Sequence, residues 1–422
     1  MKKKQEVYDV AVVGAGPAGM MAAITGAKEG LEVVLLDKNK ELGKKLLLTG
    51  NGRCNLTNAE FNLRKLVENY GEGKEFLFHA FSVFGPKEVL DFFEKLGIKT
   101  KIEPGNRVFP LSGNAGDVID ALKECLEKYK VKILFDSQVS KVVVKENKTS
   151  GRRVVQKIMI GENQISAKKY IFCTGGMSYP ATGSSGEALR WLESLGHKIA
   201  EPMPALVPLK IKEDWAKELQ GLALKDVGIT VAQNNKRQFQ EIGDLLFTHF
   251  GLSGPVILDI SRRVGELLKK GEVIISIDFY PRVAIVDLIK KISEKITKNP
   301  RVSVKNFLSD IMPQRLVPVF ARSIGINSDK PANNITKSER VVIAKQLKQV
   351  GVTATGLMGF DVAMATSGGV LLKEVDAKTM KSKIIDNLYF AGEILGIDGK
   401  TGGFNLQACW STGYLAGKSA SL

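Results

Sequence analysis

The chain has 422 residues, with 61 Lys/Arg against 45 Asp/Glu and a formal net charge of +16. That length exceeds one typical domain, so two or three units are expected. No apolar run approaches the roughly 20 residues needed to cross a bilayer, so a soluble protein is expected.

Four separated cysteines (Cys54, Cys125, Cys173, Cys409) form no C-x-x-C pair, and the histidines (His79, His197, His249) show no ligand spacing. No metal site and no redox-active disulfide is therefore expected. Met1-Lys2-Lys3-Lys4 resembles the start of a signal peptide, but Asp9 and the glycines that follow interrupt what would be its apolar segment. The expected location is cytoplasmic.

Val7 to Val13 reads as a strand and Met20 to Lys28 as a helix, with Gly14-Ala15-Gly16-Pro17-Ala18-Gly19 between them. This is the strand-turn-helix setting of a dinucleotide fingerprint. Gly14 permits the tight turn, Gly16 lets the backbone approach a pyrophosphate, and Gly19 allows close helix-strand packing. A second strand, Glu32 to Leu36, ends at Asp37, placed to meet a ribose hydroxyl. Next comes a Gly/Asn-rich segment, Gly43 to Asn58, too long for an idle turn.

Helical patterns follow at Lys74 to Leu96 and Asp117 to Tyr129, then strands at Lys132 to Phe135, Val139 to Lys145 and Val154 to Ile160. Tyr170 to Cys173 is another strand, running into Thr174-Gly175-Gly176. Pro202, Pro204 and Pro208 punctuate a boundary. Leu206 to Ile211, Val227 to Gln233, Gln238 to Glu241 and Val273 to Phe279 then suggest a small β unit.

Ile285, Leu288, Ile289, Ile292 and Ile296 recur at helical spacing, and Thr336 with Glu339 forms a capping-box pattern for a helix over Arg340 to Val350. Residues 282 to 348 carry fourteen Lys/Arg and five Asp/Glu, a local excess of nine. Either this is a solvated helical surface, or it is a face that attracts RNA or an acidic protein. From Thr353 the α/β pattern returns. Leu388 to Ala391 is a strand ending at Gly392-Glu393, and Leu406 to Ala416 a final helix. The expected division is 1–203 with 352–422, a β-barrel-like insert over 204–281, and a basic helical insert over 282–351.

Two glycine-rich ends of one nucleotide fold suggest a flavin. Its ribityl hydroxyls need an acceptor, for which Glu393 is placed at a strand end, and its pyrimidine edge gains negative charge on reduction. Gly402 and Gly403 open the final helix, so bare amides and the helix dipole can face that edge. Thr49, Gly50, Gly52 and Asn55 offer backbone and side-chain contacts to a flat ligand. Arg53 either faces a pyrophosphate or substrate carboxylate or is structural. Gly176 to Gly186, with Thr182 and Gly183, reads as a segment passing along the ring. The candidate cofactor set is completed by Pro17, Ala18, Lys38, Lys45, Val139, Thr174, Gly175, Gly392, Phe404 and Asn405. No second G-x-G-x-x-G follows a strand between 100 and 350, so any NAD(P)H would bind transiently.

These segments together resemble a family of bacterial flavoproteins, the NAD(P)/FAD-dependent oxidoreductases that include BaiN-type bile-acid reductases and aminoacetone oxidases. The resemblance runs nearly end to end, through GAGPAG at Gly14, LTGNGRCNLTN at Leu48, NRVFPLS at Asn106, TGGMSYPATGSSGEA at Thr174, PALVPL at Pro204, LLFTHFGLSGP at Leu245 and GEILGIDGKTGGFNLQ at Gly392. It implies an α/β fold, in which a glutathione-reductase-like FAD-binding Rossmann domain is interrupted by a β-barrel plus helical insert. It departs from the family at Gly396, where many relatives are acidic, and it does not transfer a substrate.

The expected activity is hydride transfer between flavin N5 and a small molecule held between the FAD domain and the insert, with NAD(P)H as a possible reductant. His249 and Tyr179 are candidates for substrate contact or proton transfer. The alternatives are an oxidase of a small amine or aminoketone that uses O2, and a flavoprotein that acts on or binds RNA through its basic insert. Oligomeric state is not determined by the sequence.

Overall fold

The computed structural model describes residues 7–147 and 151–422, so the Met1 to Lys4 run lies outside the described residues. The chain forms two compact units, one reaching to Ala205 and resuming at Phe360–Leu422, the other spanning Leu206–Gly359.

Among the described residues, the first unit is built on a seven-stranded sheet. Val7–Val13 lies at its centre, parallel to Val33–Leu36 on one side and to Asn163–Phe172 on the other. Lys132–Leu134 extends the sheet beyond Val33–Leu36, and Leu388–Phe390 pairs in parallel with the end of Asn163–Phe172. Val10, Ala11, Val12 and Val13 are all buried, as expected of a parallel strand covered on both faces.

The helix Pro17–Lys28 packs against the final helix, Phe404–Ser419. A Cβ on Gly413 would lie 2.4 Å from the Ala18 carbonyl oxygen, and one on Gly417 2.4 Å from that of Ala22. Two glycines one turn apart thus let the first and last helices approach at backbone distance. The expected helical stretch Lys74 to Leu96 is two helices, Lys74–Val83 and Pro86–Lys95. Pro86 has no N–H to continue the first helix and suits the start of the second.

The second unit contains a closed, antiparallel six-stranded barrel, in the order Leu209–Ile211, Gly251–Ser253, Lys236–Thr248, Ala223–Gln233, Val273–Asp278, Val350–Leu357. The last strand runs on to Leu357 and the unit ends at Gly359, eight residues past the expected boundary at 351. Barrel residues such as Ile229 and Ile275 share one apolar core with Leu288, Ile292 and Ile296 of helix Ile285–Lys298. The barrel and the helical segment are consequently one body, whereas the sequence reading separated them. Thr336 and Glu339 form the capping box, at the head of helix Lys337–Leu347.

Candidate functional site

Strand register decides which loops meet. Val13 pairs with Leu36 and with Phe172, and Phe172 with Phe390. Gly14, Asp37, Thr174 and Gly392 therefore leave the carboxyl edge of the sheet close together, where open α/β sheets bind ligands. They line a cavity with about 1390 Å³ of empty space, its open mouth included.

Gly14 has φ +101°, and a Cβ there would sit 2.5 Å from the Cys173 carbonyl oxygen. A Cβ on Gly19 would fall 1.7 Å from the Gly14 oxygen, so Gly19 serves packing and does not line the cavity. Gly16 precedes helix Pro17–Lys28 without a side-chain cap. The amides of Gly16 and Ala18, on either side of Pro17, which has no N–H, thus border the cavity with the positive end of the helix dipole behind them.

One end of the cavity is polar and cross-linked. Asp37 accepts from Ala15 N at 2.7 Å and from the backbone and side-chain nitrogens of Asn39 at 2.8 and 3.0 Å. Those three bonds leave a carboxylate lone pair for a ribose hydroxyl. Lys38 donates to Ser185 Oγ at 2.7 Å and Glu187 Oε1 at 3.1 Å, and Gln138 donates to Glu187 Oε2 at 3.2 Å. Burial pushes the Glu187 carboxyl up, but these donors outweigh it and hold it below the ordinary value. Val139 closes this wall.

Near Gly392, the Glu393 carboxylate accepts from Lys45 Nζ at 2.8 Å, Ser178 Oγ at 2.8 Å, Thr366 N at 2.7 Å and Gly176 N at 3.2 Å. Burial raises its pKa, yet the Lys45 charge and these hydrogen bonds leave it below the usual carboxylate range. Lys45, Thr49, Thr174, Gly175 and Asn405 line the cavity here. The final helix opens at Gly403, φ +101°, again without a side-chain cap. A Cβ on Gly403 would meet the Thr57 oxygen at 2.3 Å, so only glycine fits.

Several expectations need correction. Glu393 lines the cavity, but its carboxylate, with about four acceptor sites, already holds four donors, which argues against the ribityl acceptor role read from the sequence. Arg53 is structural: its Nη1 lies 3.0 and 3.1 Å from the two Glu103 carboxylate oxygens, and its guanidinium stacks 4.0 Å over Phe109. Thr182 and Gly183 sit beside Lys38 and Asn39, with Asn39 Nδ2 donating to the Thr182 carbonyl at 3.0 Å, so this segment belongs to the Asp37 end and not to a ring.

Gly50, Gly52, Asn55, Gly176, Gly402, Gly403 and Phe404 do not line the cavity. Gly50 packs on Phe109 and Gly176 on Thr366, while Asn405 spends its amide on Gly399 and Lys400. Tyr179 also lies off the lining; it holds φ +50° and donates its N–H to Phe360. His249 belongs to the other unit, exposed in the turn between two barrel strands beside Phe250. Gly396 has φ +65°, and a Cβ there would lie 2.7 Å from the Gly368 carbonyl carbon.

Sequence reasoning missed Asn39, Gln138, Ser184, Ser185, Glu187 and Trp191 as lining residues. Ser184 to Glu187 stood inside a segment already singled out, whereas Gln138 and Trp191 carry no local signal. It also missed Ser178 and Thr366, which hold Glu393.

FAD fits what is present. Thr174 Oγ1 and Asn55 Oδ1 are buried with no hydrogen-bond partner among the described residues. Such an atom costs about 1–3 kcal/mol. Thr174 lines the cavity, and Asn55 Oδ1 lies 2.9 Å from the position of a Gly403 Cβ, at the mouth of the final helix. Two uncapped helix starts, an acid with one free lone pair and an unpaired hydroxyl form a donor and acceptor set suited to a dinucleotide. No helix among the described residues is long and apolar enough to cross a membrane, and no group of them could hold a metal ion.

Comparison with known proteins agrees with this reading. The model of the HI0933-like protein Rossmann domain family matches residues 8–419. A 3-dehydro-bile acid delta(4,6)-reductase from Clostridium scindens is 32% identical over 98% of this chain and 98% of its own length. A ribosomal RNA dihydrouridine synthase from Haemophilus influenzae is 30% identical over 97% of this chain and 98% of its own. In fold, the 3-ketosteroid delta1-dehydrogenase from Sterolibacterium denitrificans superposes with a TM-score of 0.55 at 12% identity, covering 98% of this chain and 99% of that one. The chain belongs to the HI0933-like Rossmann-domain family and is an FAD-dependent oxidoreductase.

Proposed function

We propose that this enzyme reduces a carbon–carbon double bond conjugated to a carbonyl, on a base carried by RNA, with NAD(P)H arriving transiently as reductant. When bound, FAD supplies the hydride from its N5. The names of the two full-length relatives support the reaction class. One joins a 3-dehydro group to reducible double bonds, and the other names a uridine bearing two added hydrogens. An activated double bond is common to both.

The observation that carries the RNA reading is the basic surface of the second unit. Lys290, Lys291, Lys298, Arg301, Lys305, Lys337 and Lys345 are exposed, and none has a carboxylate within ion-pair distance among the described residues. Unspent cations of this kind suit a phosphate backbone. A single fingerprint supports transient NAD(P)H. The chain's residues hold and orient: the first-turn amides of Pro17–Lys28 receive the phosphates, Asp37 the ribose, and the opening of Phe404–Ser419 the pyrimidine edge.

A second reading, reduction of a free small molecule, is favoured by Met364, an apolar residue 49% exposed on the cavity lining. The deciding experiment is anaerobic reduction of the FAD-loaded protein by NADH or NADPH, followed by unmodified ribosomal RNA transcript or a steroid enone, with dihydrouridine read by mass spectrometry. Bleaching by the nucleotide, then re-oxidation by RNA with dihydrouridine formed, supports the proposal. Turnover of the enone alone supports the second reading. No bleaching by either nucleotide, with rapid re-oxidation of substrate-reduced enzyme in air, would point to an oxidase and sink both.

A further inference from the structure

The fingerprint turn, Gly14 to Gly19, contains no cationic side chain. Its helix end supplies only about half a positive charge toward a pyrophosphate. Lys45 stands beside it. The Lys45 turn is tied to the fingerprint by a Gly43 N to Ala15 O hydrogen bond of 3.0 Å. Glu393, its ion-pair partner at 2.8 Å, follows Gly392, whose Cβ position lies 2.8 Å from Ala18 Cβ. Thr174 and Gly175 complete the neighbourhood: a Gly14 Cβ would touch Thr174 Cα at 3.2 Å, and a Gly175 Cβ lies 3.7 Å from Glu393 Oε2.

Counting donors isolates the ammonium. It has three N–H groups, of which one goes to Glu393 and one to Ser178 Oγ. The Glu393 carboxylate is filled by four donors, so it offers a ligand nothing. Beside the unpaired Thr174 hydroxyl, the third Lys45 N–H is the charged donor this cluster has left, on a side chain that lines the cavity. Lys38 keeps a third N–H by the same count, but it stands at the Asp37 end of the cavity, held by Ser185 and Glu187. Lys44 also lines the cavity, but among the described residues no ion pair fixes it.

We infer that Lys45, fixed by Glu393 and Ser178, is the cation that binds the pyrophosphate of FAD, with Glu393 acting as a positioning residue. The inference rests on FAD being the occupant. A charge-assisted hydrogen bond of this kind corresponds to about tenfold or more in affinity.

The experiment titrates the FAD-stripped full-length protein with FAD, ADP and riboflavin, followed by fluorescence and calorimetry, for the parent and for Lys45→Met, Lys45→Arg and Lys44→Met. Expected is at least a tenfold loss of FAD and ADP affinity in Lys45→Met, riboflavin affinity unchanged, recovery to within about threefold in Lys45→Arg, and little change in Lys44→Met. FAD affinity of Lys45→Met within twofold of the parent would overturn the inference, as would an equal loss of riboflavin or a larger loss in Lys44→Met. If Lys45→Met does not fold, Lys45→Gln, which keeps a donor toward Glu393, carries the same comparison. Failure of both to fold would mark Lys45 as structural and also overturn it. A parent protein that binds no FAD would instead defeat the flavin reading itself.

Discussion

Ser382 Oγ lies 3.0 Å from His197 Nε2, both residues are buried, and His197 Nδ1 is 3.2 Å from Glu374 Oε2. The order Glu-His-Ser is that of a hydrolytic triad, but Ser382 Oγ already accepts the N–H groups of Ile384 and Ile385 at 3.0 and 2.9 Å. Its proton goes to His197, so the hydroxyl is fully used and the trio is a clamp. It fastens the segment before Leu388–Phe390 to the end of helix Glu187–Ser194.

The clamp requires neutral His197. Burial lowers its pKa, against the upward pull of Glu374, and Arg153 adds to the lowering. The unfolded chain therefore binds a proton first as pH falls below about 6.5. Stability should be full above that value and decline as pH drops through the lower folded-state pKa. Thermal melts from pH 7.5 to 5 should show a steeper decline for the parent than for His197→Gln. Parallel declines would refute the role.

Trp410 is fully buried and donates its indole N–H to the Leu56 carbonyl at 2.9 Å, with its ring 5.2 Å from Phe93. Trp410→Phe removes that donor and should cost about 1–3 kcal/mol in urea unfolding. Trp410→Ala adds a cavity and should cost about 3–5 kcal/mol. Equal costs for the two would show that the hydrogen bond contributes little.

Arg53 is paired with Glu103 and stacked on Phe109, with its side chain 37% exposed. Such a pair contributes about 1 kcal/mol or less. Arg53→Ala should lower the melting temperature slightly and leave FAD affinity within twofold. A tenfold loss of FAD would restore the phosphate contact read from the sequence.

All four cysteines are free. Burial pushes the Cys54 and Cys409 thiols up to about 12, and it raises Cys125 and Cys173 as well. The thiolate is the reactive form. The native protein at pH 8 should show no fast reaction with a disulfide reagent, and four thiols should appear in denaturant. A fast native titration of Cys54 or Cys173 would contradict the burial seen around them.

The nucleotide fold and the kind of ligand were legible in the chain itself. The strand over Val7–Val13, the glycines at 14, 16 and 19, Asp37 one strand later and the helix opened by Gly403 are local patterns, because turns, caps and parallel strands restrict residue type over a few positions. Which charged groups face the ligand was settled only by tertiary structure. Glu393 seemed free until Ser178, Gly176 and Thr366 arrived from more than twenty residues away to fill its lone pairs. Arg53 seemed free until Glu103 and Phe109 came to meet it. A side chain's unspent hydrogen bonds depend on partners distant in sequence, and strand register, not local pattern, brings those partners together.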